Sequence, residues 1–325
     1  MRQKLNWGFL STAKINRALI KPLAASKRTR LLAVASRSQS SADAYAREWN
    51  IPRAHGSYEA LLADPEINVI YNSLPNDLHA EWTIKALRAG KHVLCEKPIA
   101  LTVTELDAMA AAAKESGRVL AEAFMYRHHP QTLKIKEMVD GSLLGQLQLI
   151  RGSFTFTLTR QTHRSDPHRG GGSIWDVGCY PISYARMIAG AEPLEVFGWQ
   201  AKGPTGIDET FVGQMRFADD IHAQFDCGFN SPSRTHIEVI GTQGMLDIPV
   251  PFKPGKNEKM FLRRGDHTET IRIKGQELYL GEVEDMVDAI LLGKPPRVSL
   301  ADSRANISTI LALIESSETG RPILL

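Results

Sequence analysis

Residues 5–13, Leu5-Asn6-Trp7-Gly8-Phe9-Leu10-Ser11-Thr12-Ala13, run apolar and then break into small and hydroxyl-bearing side chains just before a helical pattern begins at Ile15. A short apolar strand, a turn of small residues and a helix make the opening of a βαβ unit. Working outward, the alternation repeats. Strand-like runs occur at 31–36, 69–73, 92–96 and 119–121, with helix-like segments at 15–25, 42–49, 58–63, 79–89 and 103–116 between and after them. Five strands with crossovers in the first 120 or so residues predict a Rossmann-type, doubly wound parallel sheet, a fold whose ligands bind beyond the carboxyl ends of the strands.

After about residue 123 the texture changes. A helical stretch at 131–139 leads to a strand at 146–159, a polar loop at 160–169 and the run Gly170-Gly171-Gly172. Short alternating segments follow at 195–201, 210–217, 222–229, 234–240 and 245–248, the pattern of half-buried antiparallel strands. Two helices at 281–292 and 302–319 close the chain. The expectation is a dinucleotide-binding domain over residues 1–123 and an α+β domain over 124–325, built on a large, open, mostly antiparallel sheet. Such a sheet would leave one face uncovered by helices, and an apolar exposed face normally finds a partner. Phe211, Val212, Phe217, Phe225 and Phe229 are the residues expected to form that patch.

Composition narrows the partners. The chain has 325 residues, 43% hydrophobic and 23% charged, an ordinary globular balance that excludes a disordered tail. Its net charge of +3 is scattered, which gives no footprint for nucleic acid or an anionic membrane. Met1-Arg2-Gln3-Lys4 passes into the first strand without an apolar segment of signal-peptide type. Three widely spaced cysteines, Cys95, Cys179 and Cys227, form neither a disulfide framework nor a zinc pattern, so no metal is expected and a reducing cytoplasm is the expected compartment.

Three motifs carry chemistry. The turn from Gly8 to Ala13 keeps the first glycine and the final small residue of a dinucleotide fingerprint, with Leu10 at the middle position. Ser11 and Thr12 can offer hydroxyls and amides to a phosphate there, although a turn without ligand has the same pattern. At the end of the second strand, Ser36-Arg37-Ser38 has no acid to receive a ribose hydroxyl. Arg37 suits the 2′-phosphate of NADP, the other reading being an ordinary surface arginine. Cys95-Glu96-Lys97-Pro98 ends the fourth strand, where ligands of this fold gather. Downstream, Asp176 and Tyr180 stand four apart, on one face if the segment is an α-helix, after the three glycines. They read either as an acid/base pair or as a buried tyrosine satisfied by a neighbouring carboxylate.

The ordered set Gly8…Ala13, Glu96-Lys97-Pro98, Glu122-Ala123-Phe124-Met125-Tyr126-Arg127 and Gly170-Gly171-Gly172…Asp176-Val177-Gly178-Cys179-Tyr180 resembles the Gfo/Idh/MocA oxidoreductase family over essentially the full length. More narrowly, it is similar to the branch that includes glucose–fructose oxidoreductase, dimeric dihydrodiol dehydrogenase and NADP-linked D-xylose dehydrogenase. The resemblance implies that Lys97 and Tyr180 are the catalytic pair, with Asp176 orienting or contacting substrate. It implies cofactor contacts from Gly8, Ser11, Thr12, Ala13, Ser36, Arg37, Leu74, Pro75, Asn76, His79, Glu96 and Lys97. Arg127, His163, Arg164, Asp176 and Tyr279 would reach the substrate side. The expected activity is hydride exchange between NADP(H), favoured over NAD(H), and a secondary alcohol or carbonyl of a sugar or cyclic diol. A reductase of dicarbonyl, keto-deoxy or anhydro sugars is the alternative, and a dinucleotide-sensing regulator without turnover is the other class of reading. The expected assembly is a homodimer or homotetramer packed through the second-half sheet.

Overall fold

The computed structural model describes residues 4–325; Met1, Arg2 and Gln3, the start of the stretch expected to lack a signal peptide, lie outside the described residues. The chain divides into two compact units, Met1–His128 with Tyr279–Arg304, and His129–Leu278 with Ala305–Leu325.

The first unit opens with β1 (Leu5–Leu10), α1 (Arg17–Ala25), β2 (Thr29–Ala35), α2 (Gln39–Trp49), β3 (Arg53–His55), α3 (Tyr58–Ala63) and β4 (Val69–Asn72). It continues with α4 (His79–Arg88), β5 (His92–Glu96), α5 (Val103–Ser116) and β6 (Leu120–Ala123). Local chemistry sets these limits. Ser38 and Ser57 cap α2 and α3 through their hydroxyls, and Thr102 with Glu105 forms a capping box on α5. Gly117 ends α5 in the left-handed conformation. The strands are all parallel, in the order β3-β2-β1-β4-β5-β6. The order reverses between β1 and β4, and a ligand crevice is expected at the carboxyl ends of those two strands.

The second unit contains α6 (Pro130–Asp140), β7 (Leu147–Thr157), α7 (Cys179–Ala189) and the strands β8 (Glu195–Lys202), β9 (Asp208–Arg216), β10 (His222–Gly228), β11 (Asn230–Gly241) and β12 (Gly244–Ile248). Its sheet also takes in β13 (Asn257–Arg264) and β14 (His267–Lys274), two strands that the sequence pattern did not reveal. The remaining elements are α8 (Leu280–Leu292), α9 (Leu300–Thr319) and β15 (Ile323–Leu324). Nine strands pair in the order β14-β13-β12-β11-β7-β10-β9-β8-β15, antiparallel except for β10 against β7.

Two expectations change here. Helix α8 belongs to the first unit, not the second: Val283, Met286 and Val287 pack into the cluster of Trp7, Phe9, Val34 and Tyr71. Arg28 reinforces that packing through ion pairs with Glu284 and, at 2.6 Å, with Asp288. Second, the phenylalanines expected on an open sheet face are not there. Phe211, Phe217, Phe225 and Phe229 are at most 4% exposed. Strand alternation puts Phe211 and Val212 on opposite faces, and the phenylalanine side is covered by α9, whose Leu313 comes against Gly198 and Gly213. Val212 remains exposed at 40%, as does Trp199 at 54%, on the other face. That face also carries the ion pairs Arg151–Glu238 and Arg234–Asp226.

The assignment of faces is testable by urea unfolding. Phe225→Ala should lower the unfolding free energy by about 3–5 kcal/mol, whereas Val212→Ala should change it by about 0.5 kcal/mol or less; similar losses at both positions would reverse the two faces.

Candidate active site

In the first unit the loops at the switch point are tied by hydroxyls. Ser11, at φ 137°, places its Oγ 2.9 Å from Ser73 Oγ after β4, and the same oxygen accepts from the Ala13 amide at 3.1 Å. The Asn16 side chain donates to the Ser11 carbonyl at 2.8 Å. The turn Ser11-Thr12-Ala13 is therefore held in shape by its own neighbours. Gly8 is not part of that turn; it lies inside β1, opposite Ala33 and Ile70. At the end of β2, Ser36 is buried, Arg37 is exposed and Ser38 is committed to capping α2, with no carboxylate among residues 36–42.

The loops after β4 and β5 are pinned together. Leu74-Pro75-Asn76 leads into α4, whose first residue, His79, is completely buried. Its Nδ1 stands 2.8 Å from the Pro98 carbonyl oxygen and its Nε2 2.8 Å from that of Leu74. Burial lowers its pKa. His79, expected to touch cofactor, lies between the two loops that flank the crevice, its neutral ring donating to one of the two carbonyls and its protonated ring to both. The Lys97–Pro98 bond is cis. Tyr71 donates to one Glu96 oxygen, and the Lys97 amide donates to the other at 3.3 Å. Just beyond, the Ile99 amide donates to the buried carboxylate of Glu122 at 3.0 Å. The family motif that starts at Glu122 thus serves the loop carrying Lys97, a role the sequence alone did not indicate.

Two residues expected on the substrate side are engaged within the first unit. Arg127 is buried and pairs with Asp302 at 2.8 Å. Tyr279 precedes α8 and packs against the apolar cluster, where burial and the carboxylates of Glu96 and Glu282 raise its pKa.

In the second unit the loop 160–169 folds back over the glycines. The Gly171 amide donates to the Asp166 carbonyl at 3.0 Å and the Gly172 amide to that of Arg164 at 2.9 Å. A Cβ on residue 171 would lie 2.5 Å from the Arg164 carbonyl oxygen, so the close approach itself demands glycine. His163 is exposed on this loop, whereas Arg164 Nε donates to Asp176 Oδ2 at 2.7 Å. Asp176 was expected to orient or contact substrate; one of its oxygens is held by arginine. The segment is also not a single α-helix. Ile174–Gly178 is a π-helical turn that passes into α7 at Cys179, a distortion that recurs at functional sites. Tyr180 is 5% exposed, with ring centroids 5.3 Å from Phe154 and 5.5 Å from Phe252, themselves stacked at 5.1 Å. Under the start of the π turn lies Asp208, which sequence reasoning missed. Among the described residues no group of three or more His, Cys, Asp or Glu is arranged to hold a metal ion.

Comparison with known proteins agrees with this architecture. Residues 5–124 match the family described as "Oxidoreductase family, NAD-binding Rossmann fold", and residues 132–247 match its C-terminal domain. The chain belongs to the GFO/IDH/MocA oxidoreductase family. It is 34% identical to D-xylose 1-dehydrogenase (NADP(+)) 2 of Haloferax volcanii over 98% of both chains. It is 32% identical to mouse trans-1,2-dihydrobenzene-1,2-diol dehydrogenase over 77% of this chain and 76% of that one. The crystal structure of the 3-ketoreductase KijD10 from Actinomadura kijaniata, in complex with NADP and TDP-benzene, superposes with a TM-score of 0.91 at 28% identity, covering 97% and 98% of the two chains. The protein is accordingly an NAD(P)-dependent oxidoreductase.

The anchoring role of Glu122 predicts a stability difference. Glu122→Ala orphans the Ile99 amide and should destabilise the chain by about 1–3 kcal/mol in urea melts. Glu122→Gln keeps a carbonyl acceptor and should lose less than half as much; equal losses would remove the assignment.

Proposed function

We propose that the protein transfers hydride between NADP(H) and a secondary alcohol or carbonyl carbon of a sugar or cyclic diol. Tyr180 carries the reading: a tyrosine held by aromatic packing directly after the π turn of Asp176, in a chain whose named relatives act on xylose and on a dihydrodiol.

The first-unit residues fit a dinucleotide. Ser11, Thr12 and Ala13 form a small, hydroxyl-rich turn at the switch point, with Leu74, Pro75 and Asn76 on the loop opposite it. Arg37 is exposed at the end of β2, where no carboxylate competes, and would bind the 2′-phosphate that distinguishes NADP. Bound cofactor supplies the hydride chemistry, and the chain supplies geometry and electrostatics.

Oxidation of an alcohol requires that its hydroxyl proton leave as the C–H bond breaks, and reduction requires the reverse. Tyr180 is the proposed acceptor and donor of that proton. A phenol near its ordinary pKa of about 10 is a poor base at neutral pH, and the role proposed for Lys97 is to supply the positive charge that favours phenolate. Asp176, oriented by Arg164, would accept a hydrogen bond from a second substrate hydroxyl, with His163 on the same loop. Arg127 is left out of this substrate set because its guanidinium is already paired with Asp302 in the first unit.

The reductive direction is a second reading, favoured by the likeness to KijD10, a 3-ketoreductase. Comparing initial rates for NADPH with a ketosugar against NADP with an aldose separates the two. Assembly through the outer face of the nine-stranded sheet is proposed from exposed Trp199 and Val212; sedimentation showing only a monomer would refute it.

Tyr180→Phe should reduce kcat by about 100-fold or more while NADPH still binds; near-normal turnover would sink the assignment. Arg37→Ala should weaken NADPH by about tenfold or more and leave NADH little changed, and an equal loss for both would remove the 2′-phosphate role.

A further inference from the structure

Asp208, the first residue of β9, is 6% exposed. Its Oδ2 accepts two hydrogen bonds, from the Ser173 hydroxyl at 2.5 Å and from the Ile174 amide at 2.8 Å. Those donors open the π turn that carries Asp176 and leads to Tyr180. The other oxygen fills the space beside residue 172: a Cβ there would come 2.2 Å from Oδ1, and the residue adopts φ +125°, so only glycine is accommodated. Cys227 of β10 closes the far side, its Sγ 3.5 Å from Ser173 Oγ.

We propose that Asp208 is a positioning residue for the acid/base segment, latching the first turn, Ser173–Ile174, to the sheet and so fixing Asp176 and Tyr180. This rests on the role given to Tyr180 above.

The chemistry of the pocket argues for that purpose over plain stability. A buried carboxylate without a cationic partner is an expensive way to cap a turn, and among the described residues no Lys, Arg or His lies within ion-pair distance of Asp208. What the carboxylate offers is two acceptor oxygens with separate tasks, one for the paired donors and one against Gly172. The groups that face it are Ser173, the Ile174 amide and Cys227, whose thiol burial keeps protonated. Burial raises the Asp208 pKa to about 6, against the pull of its hydrogen bonds. Because the folded value lies above the unfolded one, the stability this group contributes is complete in acid and lost as pH rises through about 6. The ionised latch therefore works at the expense of stability. An amide in its place should make the protein more stable in mildly alkaline buffer and yet a poorer catalyst, a combination that a purely structural role would not give.

The experiment compares wild type with Asp208→Ala, Asp208→Asn and Ser173→Ala. NADP and D-xylose are the first substrate pair, and NADPH binding is followed by fluorescence. Asp208→Ala should lose about 30-fold or more in kcat with NADPH affinity within about twofold, and Asp208→Asn should recover to within about fivefold of wild type. An acid limb near pH 6 in the wild-type profile should vanish in Asp208→Asn. A kcat for Asp208→Ala within about threefold of wild type overturns the latch. Should that variant fail to fold, unchanged kcat and pH profile in both Ser173→Ala and Asp208→Asn overturn it instead. If wild type turns over no sugar, diol or ketone, the Tyr180 reading has failed and the latch is judged from Trp175 on the π turn, isolated by comparison with Trp175→Phe. Its emission should titrate near pH 6 in wild type and not in Asp208→Asn, and a flat wild-type titration refutes the latch.

Discussion

His79 sits with its two ring nitrogens 2.8 Å from the carbonyl oxygens of Leu74 and Pro98, between the loops that follow β4 and β5. The constraint it answers governs both units. The residues proposed for chemistry sit at or near the ends of regular elements, where buried peptide groups must find partners, since each one left unpaired costs about 1–3 kcal/mol. In the first unit the partners are side chains: the Ser11 hydroxyl for the Ala13 amide, Glu96 for the amide of its neighbour Lys97, and Glu122 for the Ile99 amide. In the second unit they are Asp208 under Ser173–Ile174, and the carbonyls of Arg164 and Asp166 over the glycines. Within each unit these supports are polar and directional, so they fix orientation as well as position.

That arrangement explains what could be read from the sequence and what could not. The parallel sheet was legible because its strands are buried on both faces and stand out as apolar runs between capped helices. Strands β13 and β14 were not: Asn257–Arg264 and His267–Lys274 lie towards the edge of the large sheet and are dominated by charged and polar residues. The placement of α8 was hidden for a different reason. The stripe Val283, Met286, Val287 announces an amphipathic helix but not which sheet it covers. Nor does alternation reveal which of two faces a helix will bury, which is how Phe211 and Phe225 came to be expected on the wrong side.

The candidates that the sequence offers are residues with distinctive chemistry at a strand end or helix start: Arg37, Lys97, Asp176, Tyr180. Supporting residues carry no such mark. Asp208 lies far from the π turn in sequence and looks like any acid opening a strand, and Glu122 hides inside a short buried strand. The glycine run is a different case: Gly171 is required by the carbonyls of the folded loop and Gly172 by a carboxylate oxygen. A glycine-rich signal marks close approach, and the sequence does not say what approaches.

Two of the buried acids, Glu282 and Asp208, show how hydrogen-bond donors bear on what a carboxyl group can do. Glu282 on α8 is completely buried, and neither of its oxygens has a hydrogen-bond partner. Burial, with Glu96 and Asp285 adding negative charge, pushes its pKa well above the ordinary carboxyl range. Asp208 is nearly as buried, but the hydroxyl of Ser173 and the amide of Ile174 hold its pKa near 6. Desolvation is common to both; the donors are not. Glu282, without donors, is pushed strongly towards its neutral form, whereas Asp208, with donors, can exist as an anion at neutral pH. The same two donors are the backbone and side chain of the turn that leads to Tyr180, so the interaction that keeps Asp208 ionisable is also the one that gives its charge something to hold.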